Sequence, residues 1–168
     1  MSQKIYNVLF LCTGNSARSV MAEALVTMLS NGRFQGYSAG SKPGGTVNPF
    51  AIEQIKQFKS DYLTSTLRSK SWNEFAAAGA PQMDIIITVC DNAAGETCPF
   101  WPGHPATAHW GFEDPAAVEG TDAEKRAAFA RIFNQILKKI SALSELNIES
   151  MNSTEIQQHI KKIGAAPV

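Results

Sequence analysis

Residues 6–11 (YNVLFL) form a short, nearly continuous apolar run, the pattern of a strand buried on both faces. A polar, glycine-containing stretch from Thr13 to Ser16 follows. Val20, Met21, Ala24, Leu25, Met28 and Leu29 then recur at helical spacing until Asn31-Gly32 ends the pattern. The opening unit therefore reads strand, tight loop, helix. A second strand is expected from Phe34 to Ser38, ending at Gly40, and Ser41 to Thr46 is turn-forming. Asn48-Pro49 supplies a cap and a first-turn proline for a helix carrying Phe50, Ile52, Ile55 and Phe58. Ser71 to Ala78 reads as another short helix, closed by Gly79 and Pro81. Met83 to Val89 (MDIIITV) is rich in β-branched residues and predicts a third strand ending at Cys90. Asp91 to Pro105 has no period and reads as a long loop, and Ala106 to Trp110 as a short fourth strand. Thr121 with Glu124 forms a capping box ahead of a long amphipathic helix through Ala128, Ile132, Ile136, Leu137 and Ile140. Ile156, Ile160 and Ile163 repeat that pattern on a small scale before Gly164.

Strands alternating with helices predict an α/β fold: a four-stranded, mostly parallel sheet with helices on both faces. Ligands of such sheets bind beyond the carboxyl ends of the strands, and Cys12, Ser38 and Cys90 are all expected there. The 168 residues suit one core domain, residues 1–145, followed by a helical extension, 146–168, expected to pack back on the domain. Fifteen basic and 15 acidic residues give zero formal charge, so no global field attracts nucleic acid or an anionic membrane, and any anion site is local. The first residues lack the pattern of a cleavable signal, and no apolar stretch approaches the ~20 residues that span a bilayer. The expected location is the cytoplasm. Three cysteines cannot all pair, and in a reducing compartment they are expected to be reactive, metal-binding or buried.

The segment most informative about chemistry is Cys12-Thr13-Gly14-Asn15-Ser16-Ala17-Arg18-Ser19. A cysteine at the mouth of a strand is followed by five residues, an arginine and the start of a helix. Backbone N–H groups of a loop entering a helix converge on a concave anion site, which assigns oxyanion binding to residues Thr13, Gly14, Asn15, Ser16, Ala17 and Arg18. Arg18 offers a planar fork to two oxygens of a tetrahedral anion, Ser19 is a donor to a thiolate, and Gly14 lets the loop close tightly. The same positive potential predicts a depressed Cys12 thiol pKa. The second glycine and the lysine of a nucleotide P-loop are missing.

Residues 8–23 (VLFLCTGNSARSVMAE) resemble the signature of the low-molecular-weight tyrosine phosphatase superfamily, and within it most closely the thiol-dependent arsenate reductases; the likeness covers roughly residues 4–142. It implies that Cys12 is the nucleophile and that Asp114, in HWGFEDP, is the general acid; read alone, Asp114-Pro115 is as well a helix-flanking turn. It also implies a relay in which Cys12 attacks arsenate, Cys90 then attacks Cys12, and Cys98 attacks Cys90. An external thiol reductant, thioredoxin or glutathione with glutaredoxin, then completes the cycle. No cofactor is expected to be bound, and the chain is expected to be a monomer. Ala116 and Ala117 after Asp-Pro, and residues 41–46 (SKPGGT), lack the aromatic walls that hold a phenol ring, which favours a bare inorganic anion. Some members of the superfamily hold a monovalent cation near the loop, partly through residues matching Asn15, Glu23 and Ser38. The acidic ligand expected after Thr64 is missing, with Arg68, Ser69 and Lys70 in its place. No metal site is therefore expected, and Asn15 is expected to brace the loop by hydrogen bonding.

Two other readings compete. A phosphomonoester hydrolase would use the same Cys12, Arg18 and Asp114, leaving Cys90 as a small hydrophobe at a strand end and Cys98 as a surface thiol. A zinc-stabilised module would use Cys90, Cys98, His104 and His109, but the seven residues between the cysteines exceed the common two-to-four spacing.

Overall fold

The computed structural model describes residues 4–90 and 105–167. Its centre is a four-stranded sheet of β1 (Tyr6–Cys12), β2 (Phe34–Gly40), β3 (Ile85–Thr88) and β4 (Ala106–His109), in the order β2-β1-β3-β4. All four strands are parallel, which sharpens the expectation of a mostly parallel sheet. β3 is shorter than the apolar run suggests: at its start the Asp84 carboxylate, rather than a strand carbonyl, accepts the Asn7 N–H.

α1 (Arg18–Leu29), α2 (Pro49–Phe58) and α4 (Asp122–Ser144) cover one face of the sheet. α4 buries Ala128, Phe129, Ile132, Phe133, Ile136, Ile140 and Leu143, one stripe at helical spacing. Each large side chain in that stripe contributes about 1.5–3 kcal/mol on leaving water. Thr121 and Glu124 form the expected capping box at its start. The other face carries a smaller cluster of Leu9, Leu11, Ala39, Trp72, Phe75, Met83 and Ile86. Among the described residues only α3 (Asn73–Ala76) and its flanks lie over it, one turn of helix where residues 71–78 suggested a longer one.

The chain leaves β1 through α1 to β2 on one side, and β3 takes the other side of β1. The sheet order reverses between β1 and β3, and a crevice opens at their carboxyl ends. Cys12 closes β1 and Cys90 lies two residues past β3, so both thiols reach this switch point.

The tail packs on the domain as expected. α5 (Ser153–Ala165) starts with its own capping box, Asn152 with Glu155, and lies along β4. Trp110 donates from Nε1 to the Ile160 carbonyl at 2.8 Å. A Cβ on Gly164 would sit 2.5 Å from the Trp110 ring and 2.6 Å from the His109 carbonyl, so only glycine allows this approach. The buried Lys139 of α4 donates to the carbonyls of Ile163, Gly164 and Ala166 at 2.8, 3.0 and 2.9 Å, satisfying the end of α5. Arg33 does the same for α4 through the Ser144 and Leu146 carbonyls.

Lys139→Met leaves those three carbonyls without their donor. It is expected to lower unfolding free energy by about 1–3 kcal/mol in urea titration. Lys161→Met, on the exposed side of α5, is expected to change it by less than about 0.5 kcal/mol.

Candidate active site

The loop between β1 and α1 is shaped by where its carbonyls go. The oxygens of Cys12, Thr13, Gly14 and Ser16 accept from the backbone N–H groups of Ser41 (3.3 Å), Lys42 (2.9 Å), Gly44 (3.1 Å) and Asn48 (2.8 Å), and Ser69 Oγ adds a 3.0 Å bond to Gly14 O. A peptide plane carries its N–H opposite its C=O. Turning these carbonyls toward the chain leaving β2 therefore turns the N–H groups of Thr13, Gly14, Asn15 and Ala17 to the loop's other side, where Cys12 and Arg18 stand. The bracing segment, residues 41–48, reads in the sequence only as a turn. Its contribution comes from main-chain donors that every residue but proline has, so no sequence signal marked it.

Gly40 makes the close approach possible. A Cβ there would lie 2.4 Å from Thr13 O and 3.1 Å from Asn15 N. Asn15 is fully buried and left-handed, with φ at 48°. It pays no strain penalty without return, because its side chain joins three elements: Nδ2 donates to Ser19 Oγ at 2.9 Å, and Oδ1 accepts from Lys70 N at 2.9 Å. Asn15 thus braces the loop by hydrogen bonding, as read from the sequence. Ser19 spends an acceptor site on Asn15 and keeps its hydrogen to donate.

α1 begins at Arg18 without a side-chain cap and without an acidic residue in its first turn, whereas α4 and α5 have complete capping boxes. Its first N–H groups and the positive end of its dipole are left to an anion. Arg18 donates from Nη1 to the Phe112 carbonyl at 3.0 Å, and its Nη2 lies 3.7 Å from Asp114 Oδ2. The segment carrying Asp114 leaves β4 and is tied along the end of β3, where Trp110 N donates to Thr88 O at 2.7 Å and Phe112 N to Val89 O at 3.2 Å. Asp114 also accepts from Ala116 N at 3.0 Å, so it is both the Asp-Pro turn residue and a neighbour of the arginine. Ala116 and Ala117 beside it are exposed.

Cys12 and Cys90 are both buried, 4% and 3% exposed, and neighbour one another at the mouth of the loop. Thr13 Oγ1 lies 3.6 Å from Cys90 Sγ. The Cys12 thiol is pushed above its ordinary range, first by the hydrogen bond with Cys90 and then by burial. This corrects the expectation of a depressed thiol. Arg18 and the Gly14 N–H do pull downward, but two thiols in contact retain a proton between them, and burial disfavours the charged form.

Behind the loop, Glu23 accepts from Ser38 Oγ at 2.6 Å and faces Lys70 Nζ at 3.8 Å. Burial pushes the Glu23 carboxyl up, with the Lys70 charge and the Ser38 hydroxyl pulling back; burial likewise pushes the Lys70 ammonium down. Cys98 and His104 lie outside the described residues, so the third thiol of the relay and half of the zinc set have no geometry here. Of the other half, His109 Nδ1 is 2.8 Å from Thr88 Oγ1, and Cys90 turns toward Thr13 and Cys12. Among the described residues no three His, Cys, Asp or Glu side chains gather as metal ligands, and no helix is long and apolar enough to cross a membrane.

Residues 7–159 match the family model described as low molecular weight phosphotyrosine protein phosphatase. The chain is 38% identical over 145 residues to an arsenate reductase of Halalkalibacterium halodurans, covering 86% of this chain and 98% of that protein. It is 36% identical over 148 residues to one of Bacillus subtilis, with the same coverage. A solved structure described as an arsenate reductase in the phosphate binding state superposes with a TM-score of 0.62 at 24% identity, over 83% of this chain and 97% of that one.

If Cys90 holds the Cys12 thiol up, Cys90→Ala leaves Arg18 and the loop N–H groups unopposed except by burial. The pH profile of iodoacetamide alkylation at Cys12 is expected to rise only above the ordinary thiol value of 9.0 in the parent protein and to move to lower pH in the variant. An unmoved profile would contradict the assignment.

Proposed function

Since the chain belongs to the low molecular weight phosphotyrosine protein phosphatase family, we propose that it reduces arsenate to arsenite by a thiol relay that starts at Cys12. The observation that carries this reading is a second buried thiol beside the loop: Cys90, 3% exposed, lies with its sulfur 3.6 Å from the hydroxyl of Thr13, the residue that follows Cys12. Hydrolysis of a phosphate ester needs one thiol there; reduction needs two.

In the proposed sequence arsenate enters the loop, accepting from the N–H groups of residues 13–17, and takes the Arg18 fork from the Phe112 carbonyl. Cys12 gives its proton to an oxygen of the bound arsenate and ionises against Arg18 and the helix end, with Ser19 donating to the thiolate. Cys12 Sγ bonds to arsenic, and one arsenic oxygen leaves as water, taking a proton from Asp114. Support for that role is the 3.7 Å approach of Asp114 to Arg18. Cys90, ionised and held beside Thr13, attacks Cys12 Sγ. The S–S bond forms as the S–As bond breaks, and the electron pair goes to arsenic, so two thiols lose two electrons and As(V) becomes As(III). Arsenite departs after protonation. Cys98 then attacks Cys90, releasing Cys12 as thiolate, and an external thiol reductant (thioredoxin, or glutathione with glutaredoxin) reduces the Cys90–Cys98 disulfide.

The curated relatives at 38% and 36% identity are named arsenate reductases, which favours this reading over the phosphatase one. The exposed Ala116 and Ala117 after Asp-Pro agree with it, since neither walls in a phenol ring.

Arsenite release with either reductant system tests the proposal. Cys12→Ser is expected to abolish it. Cys90→Ser is expected to release no arsenite, since nothing attacks the Cys12–arsenic adduct, while keeping any slow hydrolysis of p-nitrophenyl phosphate. Mass spectrometry of Cys98→Ser after one cycle is expected to trap a Cys12–Cys90 disulfide; finding none would remove the relay. Asp114→Asn is expected to lower kcat by about 10²-fold or more with little change in phosphate affinity.

A further inference from the structure

We infer that the Lys70 ammonium is a built-in cation for the oxyanion loop, a positioning residue that fills the place of a bound monovalent ion and holds Asn15 in its loop-bracing pose. The inference rests on reading Cys12–Arg18 as an oxyanion site.

The residues that would hold an external cation do not fit one in this chain. A bound ion needs several oxygen lone pairs aimed at one point. Ser38 Oγ gives its hydrogen to Glu23 Oε1 at 2.6 Å, so that carboxylate oxygen is already shared between a hydroxyl and the Lys70 ammonium. One lone pair of Asn15 Oδ1 is taken by the Lys70 N–H, and Asn15 Nδ2 presents hydrogens rather than lone pairs. The charge that would balance Glu23 is already covalently present: Lys70 is 8% exposed, with Nζ 3.8 Å from the same Glu23 oxygen and donating to Arg68 O at 3.1 Å. The Phe75 ring lies 5.9 Å from that ammonium. Arg68, the other cation nearby, is engaged by Glu74 at 2.9 Å.

Lys70 also reaches the loop through its main chain. Its N–H holds Asn15, its carbonyl accepts from Gly40 N at 2.9 Å, and the preceding Ser69 holds the Gly14 carbonyl. The side chain anchors this short segment to Glu23 of α1, while the backbone anchors the loop to the segment. Removing the ammonium leaves a buried carboxylate uncompensated and frees the segment that keeps Asn15 left-handed. A small cation from solution can then enter, because the space and the carboxylate remain.

Thermal midpoints and inorganic phosphate affinity, compared in tetramethylammonium, potassium and ammonium chlorides, test this. The parent protein is expected to show the same midpoint and the same phosphate Kd in all three salts. Lys70→Ala in tetramethylammonium is expected to bind phosphate about tenfold more weakly or worse. Potassium or ammonium should restore much of that affinity and raise the midpoint by about 4 °C or more. Lys70→Arg is expected to stay independent of the salt. Glu23→Gln/Lys70→Met, which has no buried charge to balance, is expected to bind phosphate weakly and to ignore the cation. The inference is overturned if the parent midpoint responds to potassium as much as the variant does. It is also overturned if Lys70→Ala, or the double variant should Lys70→Ala not fold in any salt, binds phosphate as tightly as the parent. A parent protein that binds no phosphate in any salt overturns the oxyanion reading instead, and the midpoints still decide the role of Lys70.

Discussion

The site depends on a set of carbonyls being turned away from it. Four oxygens of residues 12–16 accept main-chain hydrogen bonds from residues 41–48, and planarity of the peptide then commits the corresponding N–H groups to the opposite side. An anion can be surrounded by such donors without any charged side chain beyond Arg18. The arrangement requires β1 and β2 to be parallel neighbours in register, with Cys12 opposite Gly40, because only then do the loop after one strand and the turn after the other run side by side. It requires glycine at position 40, where any Cβ would push the two apart.

The second thiol arrives by the same logic of topology. With β3 on the far side of β1, Cys90 reaches the crevice from the side opposite the bracing turn and comes beside Cys12. That proximity raises the cost of ionising Cys12. In the proposed relay, the same proximity would hold the nucleophile protonated at rest and keep the second thiol within reach of it.

The local compromises fall at this end of the sheet. α1 lacks the cap that α4 and α5 both have, Asn15 is left-handed, and Glu23 and Lys70 are charged groups beneath the loop. Elsewhere the rules are met: carbonyls at the end of α5 are satisfied by Lys139, those at the end of α4 by Arg33, and the apolar stripe of α4 is continuous. The gathering of several relaxed local preferences around this loop fits a place where binding capacity is concentrated.

Much of this was legible in the residues themselves. Apolar period distinguishes YNVLFL as a strand and Val20 to Leu29 as a helix, because burial on two faces and burial on one stripe demand different spacings; the capping box at Thr121 is local and therefore readable. Cys-x5-Arg between strand and helix marks the candidate anion loop, since its thiol, arginine and main-chain donors are close together in the chain. What only the tertiary structure decided are the contacts between distant segments: the bracing of the loop by residues 41–48, the pairing of Lys70 with Glu23, the capping of the tail by Lys139, and the elevation of the Cys12 thiol by Cys90. Sequence period encodes which side of an element is buried. It carries no information on which buried groups face one another, and it is such facing that sets a proton's affinity or a carbonyl's direction.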